Sequence, residues 1–151
     1  MSQRVDSILR LNDYRAMKTY FEVAPRVGAF DKSKLDLKID AAVLQSDESA
    51  DDMAVQLSVQ LNGDEGQFEE AGFTGSVVVA GFFDTSDLKV EHPDDWEQLL
   101  VFNGITVLIG TVRAMYADLS AASPVGRIVL PAINVGQMLI QATSAEDGAD
   151  E

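Results

Sequence analysis

The hydrophobic period of this chain changes once, near Phe83, and that change restricts the possible folds more than any motif does. Ahead of it, apolar and polar residues alternate. In "LDLKIDA", Leu35, Leu37, Ile39 and Ala41 share one side while Asp36, Lys38 and Asp40 share the other, as in a strand with one wet face. Met53, Val55, Leu57, Val59 and Leu61 repeat the pattern without a break, and "NGDEG" at 62–66 carries the Asn-Gly signal of a hairpin turn. "YRAMKTYFEV" at 14–23 alternates more loosely and is closed by Pro25. "QFEEAGFTGSVVVAGFF" at 67–83 reads as a fourth strand, with Gly72 and Gly75 marking a bulge or bend, so the third and fourth strands form an antiparallel hairpin.

Behind Phe83 the spacing becomes helical. Asp94 or Asp95 is placed to cap a first turn near Trp96, which Asn103 and Gly104 interrupt. Ile105, Leu108, Ile109, Val112, Met115, Tyr116 and Leu119 then recur at spacings of three and four, predicting one long helix over 105–121. Ser123-Pro124 ends it, because proline disfavours helix in the residue before it. A loop containing "GRIVLPAIN" follows, and 135–141 reads as a short helix capped by Asn134. Strands first and helices second predict an α+β fold, a four-stranded antiparallel sheet with helices packed on one face. The other face, carrying Asp36, Lys38, Asp40, Gln56, Ser58 and Gln60, meets water or a partner. The length of 151 residues suits a single domain over 1–143, followed by "SAEDGADE" at 144–151 as a solvated acidic tail.

Eleven basic residues against 25 acidic ones give a formal charge of −14, which repels phosphate backbones and anionic membrane surfaces alike. Nucleic acid is therefore not an expected partner, whereas a basic protein surface would be steered toward this chain. The absence of cysteine fits a reducing compartment, and the cytoplasm is the expectation. "MSQRVDSILRLND" has no apolar signal segment, and no window reaches about 18 uninterrupted apolar residues, so direct membrane insertion is not expected.

Catalytic chemistry finds little support. His92 is the single histidine and sits in "VEHPDD" beside a proline, which suits a loop or cap and leaves no second imidazole for a metal. No serine lies in a glycine-rich strand-to-helix elbow. "DESADD" at 47–52 lacks the calcium-loop pattern with its closing glutamate, and Glu69 and Glu70, adjacent in a strand, would face opposite ways. Gly72 and Gly75 precede no phosphate-binding lysine. We expect no enzyme, metal or cofactor.

What remains is a surplus of hydrocarbon. Beyond the helical stripe, the loop at 124–133 adds Val125, Ile128, Val129, Leu130 and Ile133, more than one covered sheet face needs. Either subunits bury it together or something else fills it. The order of elements and several local strings resemble the bacterial preprotein-export chaperone family SecB: "YFEVAP" at 20–25, "KLDLKIDA" at 34–41, "VVVAGFF" at 77–83, a helix carrying Leu108 and Arg113, then "LPAIN" at 130–134 and an acidic tail. The likeness spans roughly residues 9 to 141.

The resemblance implies a homotetramer, a dimer of dimers, that holds unfolded precursor polypeptides in hydrophobic grooves and passes them to the SecA motor without ATP. Its groove residues correspond to Leu37, Ile39, Val79 and Phe82 on the strands, Leu108, Val112, Met115 and Leu119 on the helix, and Leu130 and Ile133 in the loop. Its SecA contact corresponds to Glu22, Phe68 and Glu70, with Glu146, Asp147, Asp150 and Glu151 of the tail as a further electrostatic contact. Lys18 stands where that surface has another acid, and Gly110 where the helix usually has proline. Two other readings compete: a SecB-like chaperone for a narrow client such as an antitoxin, and a small-ligand-binding α+β domain whose inner apolar residues enclose a ligand.

Overall fold

In a computed structural model, which describes residues 9–25 and 30–137, the elements follow the order β1 (Arg10–Val23), β2 (Leu37–Gln45), β3 (Asp52–Leu61), α1 (Glu65–Ala71), β4 (Phe73–Asp84), α2 (Ser86–Glu91) and α3 (Trp96–Ala121). The four strands make one antiparallel sheet in the order β1-β4-β3-β2. The expected α+β class is the observed one. β3 pairs Val55 with Val43 on one side and with Gly81 on the other, so its five apolar residues stack in line with β4. Val55, Leu57, Val59 and Leu61 thereby meet Val77, Val79 and Phe83, and Leu100, Ile105, Leu108, Val112 and Tyr116 of α3 close the core from above. α3 packs chiefly on β3 and β4, the central pair. It is long and apolar enough to cross a membrane by length and composition, but its sheet-facing side is buried in this fold.

Three expectations are corrected. The segment from Glu65 to Ala71 is helical, not the start of the fourth strand. Its residues favour helix, the Gln67 side chain accepts a hydrogen bond from the Asp64 amide at 3.2 Å, and Gly72 ends the helix at φ +88° instead of marking a bulge. The Asn-Gly pair therefore opens a helical excursion between two paired strands and not a tight hairpin. Asn62 is buried at φ 47°, and its side chain accepts from the Asp36 amide at 2.8 Å and donates to the Phe73 carbonyl at 3.1 Å.

The second correction concerns α3, which runs unbroken through Asn103 and Gly104. The Asn103 side-chain Nδ2 donates to the Leu99 carbonyl at 2.8 Å, and Gly104 lies against Val55, where an added Cβ would come within 2.9 Å of a methyl group. A close approach, and not a break, explains the glycine. The third difference is α2, an additional short helix ahead of the turn expected near Trp96. The Asp84 carboxylate starts it by accepting from the Ser86 amide and hydroxyl at 3.0 and 2.8 Å, which holds that carboxyl below its usual range. Strand ends also move: β1 begins at Arg10, and β2 continues to Gln45.

After α3 the chain returns without regular structure. Ser120 donates to the Tyr116 carbonyl at 2.6 Å and accepts from the Ile128 amide at 2.8 Å, tying the loop to the helix. Val125, Ile128, Leu130 and Val135 are buried by that return. Residues 135–137 are helical and Asn134 accepts from the Gln137 amide at 3.0 Å, as its capping position predicts; the rest of that segment lies outside the described residues.

Candidate functional site

Alternation along the strands assigns the two faces. On β2, Leu37, Ile39, Ala41 and Val43 pair with the core residues of β3 and so lie on the helix side, yet Leu37 and Ile39 are only half buried and Val43 is 41% exposed. α3 sits over the middle of the sheet, which leaves this outer strand thinly covered. From α3 and the returning loop, Met115, Leu119 and Ile133 are also half buried and pack against the same core. These five residues make a partly open apolar border on the helix side. Val79, Leu108, Val112 and Leu130, expected to line the same groove, are part of the closed core, none more than 3% exposed. Serine at Leu108 or Val112 would therefore report on folding before binding.

Phe82 does not join them. It alternates with Phe83, pairs with Ala54 and Asp13, and faces the helix-free side, where the Arg15 guanidinium lies 5.4 Å from its ring centre. It also borders a cavity of about 350 Å³ lined by Leu44, Met53, Ala54 and Phe83 together with Asn12, Gln45, Ser46 and Asp52. A single-residue offset within "VVVAGFFD" decides between the two faces, and only the register supplies it.

The proposed motor contact divides as well. Glu22 is exposed on the helix-free face and accepts a hydrogen bond from the Tyr20 hydroxyl, which holds that phenol above its ordinary range. Phe68 projects from α1 into a cleft of about 330 Å³ bordered by Lys18, Tyr20, Gln60 and Asp64. Glu70, two residues on and so on the other side of α1, pairs with Lys34 instead and borders a separate cleft with Ser33 and Asp36. Glu146, Asp147, Asp150 and Glu151 lie outside the described residues.

One residue of the helix side was not singled out for its charge by sequence reasoning. Arg113, half buried on α3, donates from Nη2 to the Pro131 carbonyl at 3.2 Å, while its Nε is buried with no acceptor. Its place beside the "LPAIN" string was the available signal. Among the described residues no group of acids and histidines is arranged to hold a metal ion.

No family model matches the sequence, and no curated protein matches it. Among solved structures, the fold matches a SecB-like chaperone of Mycobacterium tuberculosis, determined in complex with a peptide from an antitoxin, at a TM-score of 0.61 with 18% identity, over 83% of this chain and 91% of that one. A Streptococcus agalactiae protein matches at a TM-score of 0.43 with 11% identity, covering 83% and 97%, too weak a likeness to support an argument. At these identities the comparison does not place the chain in the bacterial export family itself. It does establish that the chain has a SecB-like fold, an open four-stranded antiparallel sheet with its helices.

Proposed function

We propose that the chain is a SecB-like holding chaperone that keeps unfolded or precursor polypeptides on the apolar, helix-bearing side of its sheet without using nucleotide. The observation that carries this reading is the half-open border of Leu37, Ile39, Met115, Leu119 and Ile133, in a fold whose solved counterpart is a chaperone with a peptide bound. Burial of apolar surface at roughly 25 cal/mol per Å² is non-directional, so such a border accepts many sequences, and flexible Met115 adapts to their shapes. Holding lowers the population of free unfolded chain by mass action. The working unit in this reading is a homotetramer, supported by the exposed Leu11, Tyr14 and Met17 on β1 and by Phe102 and Val107 on the outer side of α3. Delivery to a SecA-type motor for protein export would use Glu22 and Phe68 on the opposite face, together with the acidic tail.

A narrower version, service to one client such as an antitoxin, is favoured by the antitoxin peptide in the matching structure and by Lys18, which stands in the Phe68 cleft where the export family has an acid. Purified protein is expected to suppress aggregation of a reduced, unfolded test protein without nucleotide. Serine at Ile39, Met115 and Ile133 together should abolish this while circular dichroism stays native; a folded triple variant that still suppresses aggregation would refute the site. Capture of bound polypeptides separates many clients from one, and motor binding with and without residues 144–151 tests delivery.

A further inference from the structure

We infer that the outer edge of β2 takes an extended segment of the held polypeptide as an added antiparallel strand, so that the preferred client stretch has no proline and carries an apolar side chain at every second position. This rests on the holding function proposed above and names how the guest is gripped. Two bonds at its ends fix which way the backbone of β2 faces. The Ser46 amide donates to the Asp52 carbonyl at 3.0 Å, and the Asn62 amide donates to the Asp36 carbonyl at 2.9 Å. Both pairs continue the register that sets Leu37 against Leu61 and Gln45 against Met53, which runs without a slip. The even-numbered residues of β2 therefore bond to β3, while Leu37, Ile39, Ala41, Val43 and Gln45 turn both amide and carbonyl outward. Among the described residues no strand lies beyond that edge and no backbone hydrogen bond leaves it.

Edge strands are ordinarily guarded by charge, proline or a bulge. β2 has Lys38 and Asp40 in its first half and no charge from Ala41 to Gln45. The opposite margin differs, since β1 slips against β4 at two points and is bent there. The residues of β2 that turn their backbone outward are also those whose side chains lie on the helix side, where Leu37 and Ile39 are half buried and Val43 is exposed. A strand added there makes two kinds of contact at once: its amides and carbonyls meet those of β2, and its alternate side chains lie beside Ile39 and Val43 on the apolar border. Backbone pairing is blind to sequence, as a holder of varied guests requires. A second folded copy suits the edge less well. Nine residues make an edge about 30 Å long, so edge-to-edge pairing covers on the order of 300 Å² on each copy, well below the about 800 Å² per partner of stable interfaces. A flexible segment is not limited to that edge, because the rest of its length can follow the apolar border.

The test is a fluorescence anisotropy titration with a dye-labelled seven-residue peptide that alternates valine and serine, with a lysine at each end for solubility. In an antiparallel pair, residues directly opposite share one face and one bonding direction, so the valine amides point at β2. N-methylation of the valine amides should weaken binding by at least about tenfold, and N-methylation of the serine amides by less than about twofold. Ala41→Pro removes one outward donor without touching the ladder to β3, and should weaken the unmethylated peptide by about tenfold while circular dichroism stays native. Equal effects of the two methylations, loss confined to the serine set, or unchanged binding by folded Ala41→Pro overturns the inference, and continued holding of an unfolded test protein then leaves the holding function standing. A lower mass of Ala41→Pro in light scattering, with peptide binding unchanged, would put a second copy on the edge and overturn it too. Where Ala41→Pro does not fold, the two methylated peptides decide on the wild-type protein. A protein that binds neither the peptide nor unfolded protein overturns both.

Discussion

Tyr116 shows how one side chain joins the two layers. It is fully buried, its hydroxyl donates to the Val59 carbonyl at 2.5 Å, and its ring fills the space left by Gly75, where an added Cβ would come within 2.7 Å of Cε1. Burial pushes the phenol well above its ordinary pKa of 10.0. In the unfolded chain the same group ionises near pH 10.0, so the stability it contributes is full below that pH and declines as pH rises past it. Tyr116→Phe is expected to cost about 1 kcal/mol near neutral pH through the lost hydrogen bond. The gap from wild type should then narrow at about pH 11, because phenylalanine has no proton to lose. Urea midpoints at about pH 8 and about pH 11 measure this, and a gap of constant size would refute the assignment.

At the level of elements, α3 contains two glycines with opposite surroundings. Gly104 touches Val55, whereas nothing lies within 4 Å of a Cβ added at Gly110. Gly104→Val should destabilise by about 1–3 kcal/mol through overpacking. Gly110→Ala should stabilise the subunit by up to about 1 kcal/mol through helix propensity. Thermal melts of both variants decide it, and a neutral Gly104→Val would mean that α3 does not press on β3. The same glycine shows why reading by pattern goes astray: "NG" at 103–104 and "NG" at 62–63 are the same dipeptide, one inside a helix and one at the end of a strand. Propensity marks both as breaks, but contact with Val55 decides the first, and the side-chain bonds of Asn62 to Asp36 and Phe73 decide the second. β2 and β3 were legible because their apolar residues alternate without exception, and α3 because its stripe persists over several turns. α1 was not, since "QFEEAGF" alternates no worse than a strand and its caps are visible only once the backbone is in place. The groove residues divided for a similar reason. Spacing assigns a residue to a face, whereas how much of it stays open depends on where α3 rests, and that is a matter of packing.

For the whole molecule, the sheet ends in two unlike margins. β2 carries no charge from Ala41 to Gln45 and, among the described residues, has no strand on its outer edge, and β1 shows Tyr14 53% and Met17 60% exposed along a strand of 14 residues. Strands so long and open are paired or protected in stable proteins. If β1 is where copies of this chain meet, Met17→Lys should lower the mass found by light scattering below that of wild type. A wild-type protein that is already a monomer at micromolar concentration would remove the reason for the test.

The pairing of β1 with β4 slips twice, at Asn12 and again at Met17. Each slip adds local twist, so the outer rim of the sheet is bent at two points. A neighbouring copy can dock on such a rim only with matching bends. Growth into an endless ribbon, in which every added strand repeats a flat partner, is thereby discouraged.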